Sequence, residues 1–224
     1  MNFELTEDQQ LIKDMVKDFS SKEIMPKAKA LEDNSEFPKD LFNKLAELGI
    51  LGMTVSTEYE GTEADRLSFL LAIEEISRFF PSLGVILSVH SGLFCYSILK
   101  YGSKQQKDRY LPDSVKGKLV GAFSLSEPGA GSDAMNLKTK AKKVDNHYLL
   151  NGIKAWVTNG AVADAFIVFA KTESDMAKKK ISAFIVEKNF PGFSVSKVEE
   201  KMGLHASQTA EITLEDCKVP VDNL

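Results

Sequence analysis

The residues of this chain best able to do chemistry fall in two short stretches, Ser126-Glu127-Pro128-Gly129-Ala130-Gly131-Ser132-Asp133 and, further on, Trp156-Val157-Thr158. Glycines let a backbone turn tightly and approach a ligand closely. Exposed amides in such a turn form a concavity that suits a pyrophosphate. Ser126 and Ser132 add hydroxyls that can donate to phosphate oxygens. By composition alone the first stretch is more simply an ordinary loop, because Gly, Ser and Asp are common loop residues. Trp156 taken in isolation is a core tryptophan.

Other chemistries fail on residue order. The loop is not Gly-x-Ser-x-Gly, so no hydrolase nucleophile elbow is indicated. It lacks Gly-Lys-Ser/Thr and does not open a helix, which sets aside a P-loop and a dinucleotide fingerprint. The histidines are His90, His147 and His205, and none has a triad partner evident in sequence. Cys95 and Cys217 lie far apart without metal-ligand spacing, so no metal site and no disulfide framework is expected, which fits a reducing compartment. Cys95 stands in an apolar run and reads as a small core residue.

The elements that must position these stretches change type near residue 118. Before it the chain reads as helices. Thr6 and Gln9 have capping-box spacing ahead of Leu11, Ile12, Met15, Val16 and Phe19, and Pro26 marks where that helix should end or bend. Pro38 opens a second helix that stops at Gly49, and a third covers Leu67 to Phe79. A fourth runs from Pro81 to near Gly102, and a short fifth starts at Ser103 and is terminated by Pro112. After it, short segments rich in Val, Ile, Phe and Thr read as strands: 119–125, 138–144, 148–150, 154–158, 166–170, 182–186, 193–197 and 210–214. Asp145-Asn146, Asn151-Gly152, Asn159-Gly160 and Pro191-Gly192 punctuate them as turns. Their even spacing suggests a barrel or sandwich. The expectation is an α+β chain, all-α over residues 1–118 and a β-barrel over 119–224, within one compact unit because no flexible linker separates the halves.

Composition narrows the class further. At 43% hydrophobic and 27% charged the chain falls outside the disordered and fibrous classes. A net charge of -4 gives no general attraction to nucleic acid or anionic membrane. The basic run Lys178-Lys179-Lys180 reads as a solvated loop. From Pro81 to Leu99 no residue is formally charged, but the serines, His90 and two glycines suit a helix buried among helices better than one facing lipid. The N-terminus, Met1-Asn2-Phe3-Glu4-Leu5, lacks the order of a secretory signal, and a cytoplasmic protein is expected.

The run Phe123–Asp133, followed by Asn151-Gly152-Ile153-Lys154-Ala155-Trp156-Val157-Thr158-Asn159-Gly160, closely resembles the acyl-CoA dehydrogenase family. So do Lys104-Gln105-Gln106-Lys107, Tyr110-Leu111-Pro112 and Leu214-Glu215-Asp216-Cys217-Lys218-Val219-Pro220. The resemblance extends from residue 3 to 224. It implies an N-terminal helical domain and a middle β-barrel, with the family's C-terminal four-helix domain absent from this sequence. One local departure is Glu60, where the family usually has the first of two glycines.

The resemblance also implies FAD as cofactor, held by Phe123, Leu125, Ser126, Gly131, Ser132, Trp156, Val157 and Thr158. Thr158 would stand near flavin N5 and O4, Trp156 would pack on the dimethylbenzene side, and Ser132 would also meet the CoA portion of an acyl-CoA substrate. Ile86, Leu87, His90 and Phe94 would line the acyl pocket. The implied reaction is α,β-dehydrogenation to a 2-enoyl-CoA, with electron-transferring flavoprotein as acceptor and a homotetramer as the complete assembly. The family's base is a carboxylate in the C-terminal domain, and Glu127 belongs to the flavin loop instead. The isolated chain is therefore expected to bind FAD poorly and to be inactive. Alternative readings are a non-catalytic or split flavin- or acyl-CoA-binding paralogue, and an oxidase-type relative whose flavin reacts with oxygen.

Overall fold

A computed structural model of the chain describes residues 4–172 and 180–224. Lys178 and Lys179 of the basic run, and the first three residues, lie outside the described residues. The chain divides into two compact units rather than one: Met1–Lys118 with Lys201–Ser207, and Leu119–Glu200 with Gln208–Leu224. Lys201–Ser207 groups with the first unit because the Glu32 carboxylate accepts from the His205 amide at 2.6 Å and the Ala206 amide at 3.2 Å. The Ser82 hydroxyl donates to the same carboxylate at 2.6 Å.

The first unit is helical. Its elements are α1 (Glu7–Phe19), α2 (Met25–Asp33), α3 (Lys39–Glu47), α4 (Arg66–Phe79), α5 (Pro81–Leu87), α6 (Tyr96–Tyr101) and α7 (Lys104–Val115). α1 and α7 both begin on complete capping boxes, at Thr6/Gln9 and Ser103/Gln106. The change after α1 precedes Pro26: a π-helical turn, Ser20–Ile24, leads without a break into α2, and Pro26 is the second residue of α2. Pro112 does not terminate α7. Leu111, Ser114 and Val115 are buried beyond or beside it, and the Ser114 hydroxyl donates to the Tyr110 carbonyl at 2.7 Å, so packing carries the helix one turn further. Glu60 adopts φ 65, the left-handed region where the family's usual glycine is at ease, and its side chain pairs with Lys116 at 2.5 Å.

Pro81–Tyr101 forms one rod, with a π-helical stretch, Ser88–Cys95, between α5 and α6. By length and composition alone it could cross a membrane. Its polar groups are spent inside the unit instead: Ser91 donates to the Leu51 carbonyl at 2.8 Å, and His90 Nε2 lies 3.1 Å from the Ser114 carbonyl. Leu83, Ile86, Leu87 and Phe94 are fully buried with Leu41, Phe42 and Leu45 of α3.

Among the described residues, the second unit is one curled, mixed sheet of seven strands, a partial barrel. They are β1 (Gly121–Ser124), β2 (Lys140–Val144), β3 (His147–Val157), β4 (Ala165–Thr172), β5 (Lys180–Glu187), β6 (Phe193–Val198) and β7 (Ala210–Pro220). β4 is central, parallel to β1 and β2 on one edge and antiparallel to β5 on the other. β3 pairs antiparallel with β2 and β7, and β6 closes the path on β7. No turn forms at Asn151-Gly152: β3 runs through it, merging two expected strands, and the register shift there is a bulge in β7, which makes three steps from Leu214 to Cys217 while β3 makes two from Gly152 to Leu150. Gly152 lies so close to Thr139 that an added Cβ would stand 2.4 Å from the Thr139 hydroxyl, so the chain passes through without turning.

Ser124 of β1 pairs with Val168 of β4, and both side chains are fully buried. The Ser124 hydroxyl has no hydrogen-bond partner among the described residues. A buried unpaired hydroxyl is a net cost of about 1–3 kcal/mol. Ser124→Ala is expected to raise the unfolding free energy by about 1 kcal/mol, measured by urea denaturation.

Candidate functional site

The two chemistry-bearing stretches are brought together within the second unit. The loop leaves β1 and makes a tight turn at Pro128-Gly129, closed by paired backbone hydrogen bonds between Glu127 and Ala130 at 3.1 and 3.0 Å. The second stretch lies at the end of β3. The Ala155 amide donates to the Ser126 carbonyl at 3.0 Å, and Lys154 Nζ donates to the Leu125 carbonyl at 3.0 Å and to Glu127 at 2.8 Å. Three consecutive loop residues are thus held by two consecutive strand residues.

Glu127 and Lys154 are both buried, Lys154 completely. The Glu127 carboxylate also accepts from the Lys138 amide, the Thr139 amide at 3.0 Å and the Thr139 hydroxyl. Burial pushes the Glu127 pKa up, but the Lys154 ammonium, the Thr139 hydroxyl and the two amides outweigh it and bring it down to about 2. Burial pushes Lys154 below the ordinary lysine value, and the Glu127 carboxylate opposes that shift. The carboxylate's oxygens are thus taken up by four donors of the unit itself.

Trp156 is the residue next to this clamp. β3 makes three steps from Lys154 to Val157 while β7 makes two from Ile212 to Ala210, and the surplus is a bulge. Trp156 sits there at φ 55 with 59% of its surface exposed. It is therefore not the core tryptophan that its type alone suggests. Left-handed backbone at a non-glycine residue costs about 1–3 kcal/mol, and such outliers cluster at ligand sites. Val157 turns inward and is buried, so only its backbone can face a ligand. Thr158 is half-buried. The turn after it is pinned by Asn159, whose Nδ2 donates to the Gly121 carbonyl of β1 at 3.1 Å.

Phe123, Leu125 and Ser126 are half-buried, and the Phe123 ring meets Phe169 at a tilt of 59° with centroids 5.2 Å apart. Gly131 and Ser132 are exposed. A Cβ built at Gly129 or Gly131 would meet nothing within 4 Å, and neither glycine has positive φ. Nothing internal to the unit demands glycine at either place, and their backbone is open to close approach. An open, strained aromatic beside an open glycine turn suits a large flat ligand that carries phosphates.

Ile86, Leu87, His90 and Phe94, the residues expected at an acyl pocket, are fully buried, and the His90 ring lies against Phe42 and Phe94. Burial pulls His90 down to about 4, and pushes neighbouring Cys95 up to about 12, so both are inert core groups. Sequence reasoning passed over Lys154, Thr139 and Asn159 as site-shaping residues. The available signal was strand alternation: Lys154 shares the inward parity of Leu150, and an inward lysine requires a buried anion.

Comparison with known proteins identifies the family. Residues 6–118 match the acyl-CoA dehydrogenase N-terminal domain, and residues 122–217 match the acyl-CoA dehydrogenase middle domain. The chain is 46% identical over 220 residues to an acyl-CoA dehydrogenase of Bacillus subtilis (strain 168), covering 98% of this chain and 58% of that one. Butyryl-CoA dehydrogenase from Megasphaera elsdenii superposes with a TM-score of 0.93 at 39% identity, covering 100% of this chain and 59% of that one. An acyl-CoA dehydrogenase from Bacillus anthracis complexed with FAD superposes with a TM-score of 0.90 at 38% identity, covering 99% of this chain and 38% of that one. The chain belongs to the acyl-CoA dehydrogenase family. It spans less than two thirds of the length of each of these relatives.

Glu127 gives the site a pH signature. Its folded pKa lies below the ordinary 4.5, so its stabilisation is complete above that value and is lost as pH falls toward about 2. Urea midpoints measured from pH 6 down to pH 2.5 should fall in the wild type, and the fall should be shallower in Glu127→Gln.

Proposed function

We propose that this chain is the flavin-binding part of an acyl-CoA dehydrogenase that converts acyl-CoA thioesters to 2-enoyl-CoA. The observation that supports it most is the junction of the exposed, left-handed Trp156 with the open Pro128–Ser132 turn through Lys154 and Ala155. Phe123, Leu125, Ser126, Gly131, Ser132, Trp156, Val157 and Thr158 are the residues proposed to hold FAD. When bound, FAD supplies the hydride acceptor of the family's reaction.

Each residue then has a task. Trp156 offers its exposed ring as a wall for the flat cofactor. The Thr158 hydroxyl and amide act as fixed donors toward the part of the ring that gains negative charge on reduction, which is preorganised electrostatic stabilisation. The Val157 contribution comes through its backbone. The amides and hydroxyls of Ser126–Ser132 serve phosphate oxygens, and Ser132 also serves the CoA portion of the substrate. Glu127 is taken up by its four donors, and the proton-accepting carboxylate is a group other than those of this site. Electron-transferring flavoprotein as acceptor, a homo-oligomer as the assembled enzyme and the cytoplasm as its compartment complete the proposal; the first two rest on the resemblance, and the third on the lack of a disulfide framework. The short-chain class of substrate is favoured by the likeness to butyryl-CoA dehydrogenase.

Trp156 is the single tryptophan of the chain, so its emission reports this site alone. Titration with FAD should quench it saturably at low affinity, and Trp156→Phe should weaken FAD retention measured by equilibrium dialysis. Butyryl-CoA with an electron-accepting dye should give negligible turnover by the 224-residue chain. Unchanged emission, or robust turnover by this chain alone, would contradict the proposal.

A further inference from the structure

The buried pair Glu127–Lys154 invites a question about why it is there. Burying a lysine and a carboxylate costs desolvation that their attraction does not always return, and hydrophobic substitutes for such pairs are often as stable. The unit has apolar material in plenty for that exchange, since Val157, Ala210, Ile212 and Leu150 are all fully or nearly fully buried. What an apolar pair could not supply is direction. Lys154 Nζ is shared between the Leu125 carbonyl and Glu127, while Glu127 in turn gathers the Lys138 and Thr139 amides. The pair thereby fixes the loop from Leu125 to Glu127 against the strand residue that immediately precedes Ala155 and Trp156.

We propose that Glu127 and Lys154 are positioning residues: their ion pair sets the relative placement of the Ser126 loop and the Trp156 bulge, and holds Trp156 in its outward, left-handed conformation. This rests on the reading of those two stretches as the flavin site. Neither side chain is assigned a contact with the cofactor. They act through the Leu125 and Ser126 carbonyls and the Ala155 amide, which donates to Ser126 at 3.0 Å. The β7 pairing holds the bulge at Lys154 and Val157, and the clamp adds the tie that sets it against the loop.

The test is the double variant Glu127→Gln/Lys154→Met beside each single variant, in the full chain. The Gln oxygen can keep the Thr139 amide, while Met fills the lysine stem's space. Urea denaturation reads stability, Trp156 fluorescence anisotropy without FAD reads the order of the bulge, and exchange of the Ala155 amide reads the clamp. The expected result is a double variant with a urea midpoint close to wild type and higher than that of Lys154→Met alone. Trp156 anisotropy should fall and the Ala155 amide should exchange at least tenfold faster. FAD affinity should fall at least tenfold with them. A double variant that unfolds would overturn the proposal by making the pair a folding element, and one with wild-type anisotropy and exchange would overturn it by making the pair dispensable. Both readouts are made without FAD, so a wild-type chain that failed to bind FAD would count against the flavin reading and leave the positioning result intact.

Discussion

The arrangement of the candidate site depends on one buried ion pair. Lys154 and Glu127 lie far apart in sequence, one in a strand and one in a loop, and meet at 2.8 Å in the core of the sheet unit. Neither charge can be left there alone, because an unpaired buried charge is among the costliest features a fold can contain. The requirement that each find the other therefore ties the loop after β1 to the end of β3. The Ala155–Ser126 hydrogen bond and the Asn159–Gly121 hydrogen bond lie on either side of Trp156 and bind the same two segments.

With its base so fixed, the site can leave its working surface unfinished. Trp156 is exposed in a conformation its side chain disfavours, and the glycines at 129 and 131 face open space. A sequence optimised only for stability would bury the aromatic and fill the turn. Local departures of this kind, supported by a rigid frame, are where function is expected. The inert core of the helical unit shows the opposite solution, since His90 and Cys95 are enclosed, shifted away from their ordinary pKa values and spent on packing.

Much of this was legible in the sequence, for reasons that differ by element. The capping boxes at Thr6 and Ser103 announced α1 and α7 because a cap is a local interaction between residues three apart. The ends of α7 and β3 were not legible, because Pro112 and Asn151-Gly152 are overruled by burial around Ser114 and by the close approach of Thr139. The grouping of Lys201–Ser207 with the helices was equally hidden, since it rests on Glu32, distant in the chain. The residues of the site were found by resemblance, and the one that orients them, Lys154, was visible only as a lysine at an inward strand position. A pairwise, long-range contact such as Lys154–Glu127 leaves no spacing signature, so only the fold displays it.

The central claim is that Phe123–Ser132 and Trp156–Thr158 form one continuous surface that receives FAD. Its most direct test is a ¹H–¹⁵N NMR titration of the chain with FAD, which maps contact even at low affinity. The account predicts concentration-dependent amide shifts at Ser126, Gly129–Ser132 and Trp156–Thr158 together, with the amides of α1–α7 unmoved. Shifts confined to one of the two stretches, or centred elsewhere in the chain, would contradict it.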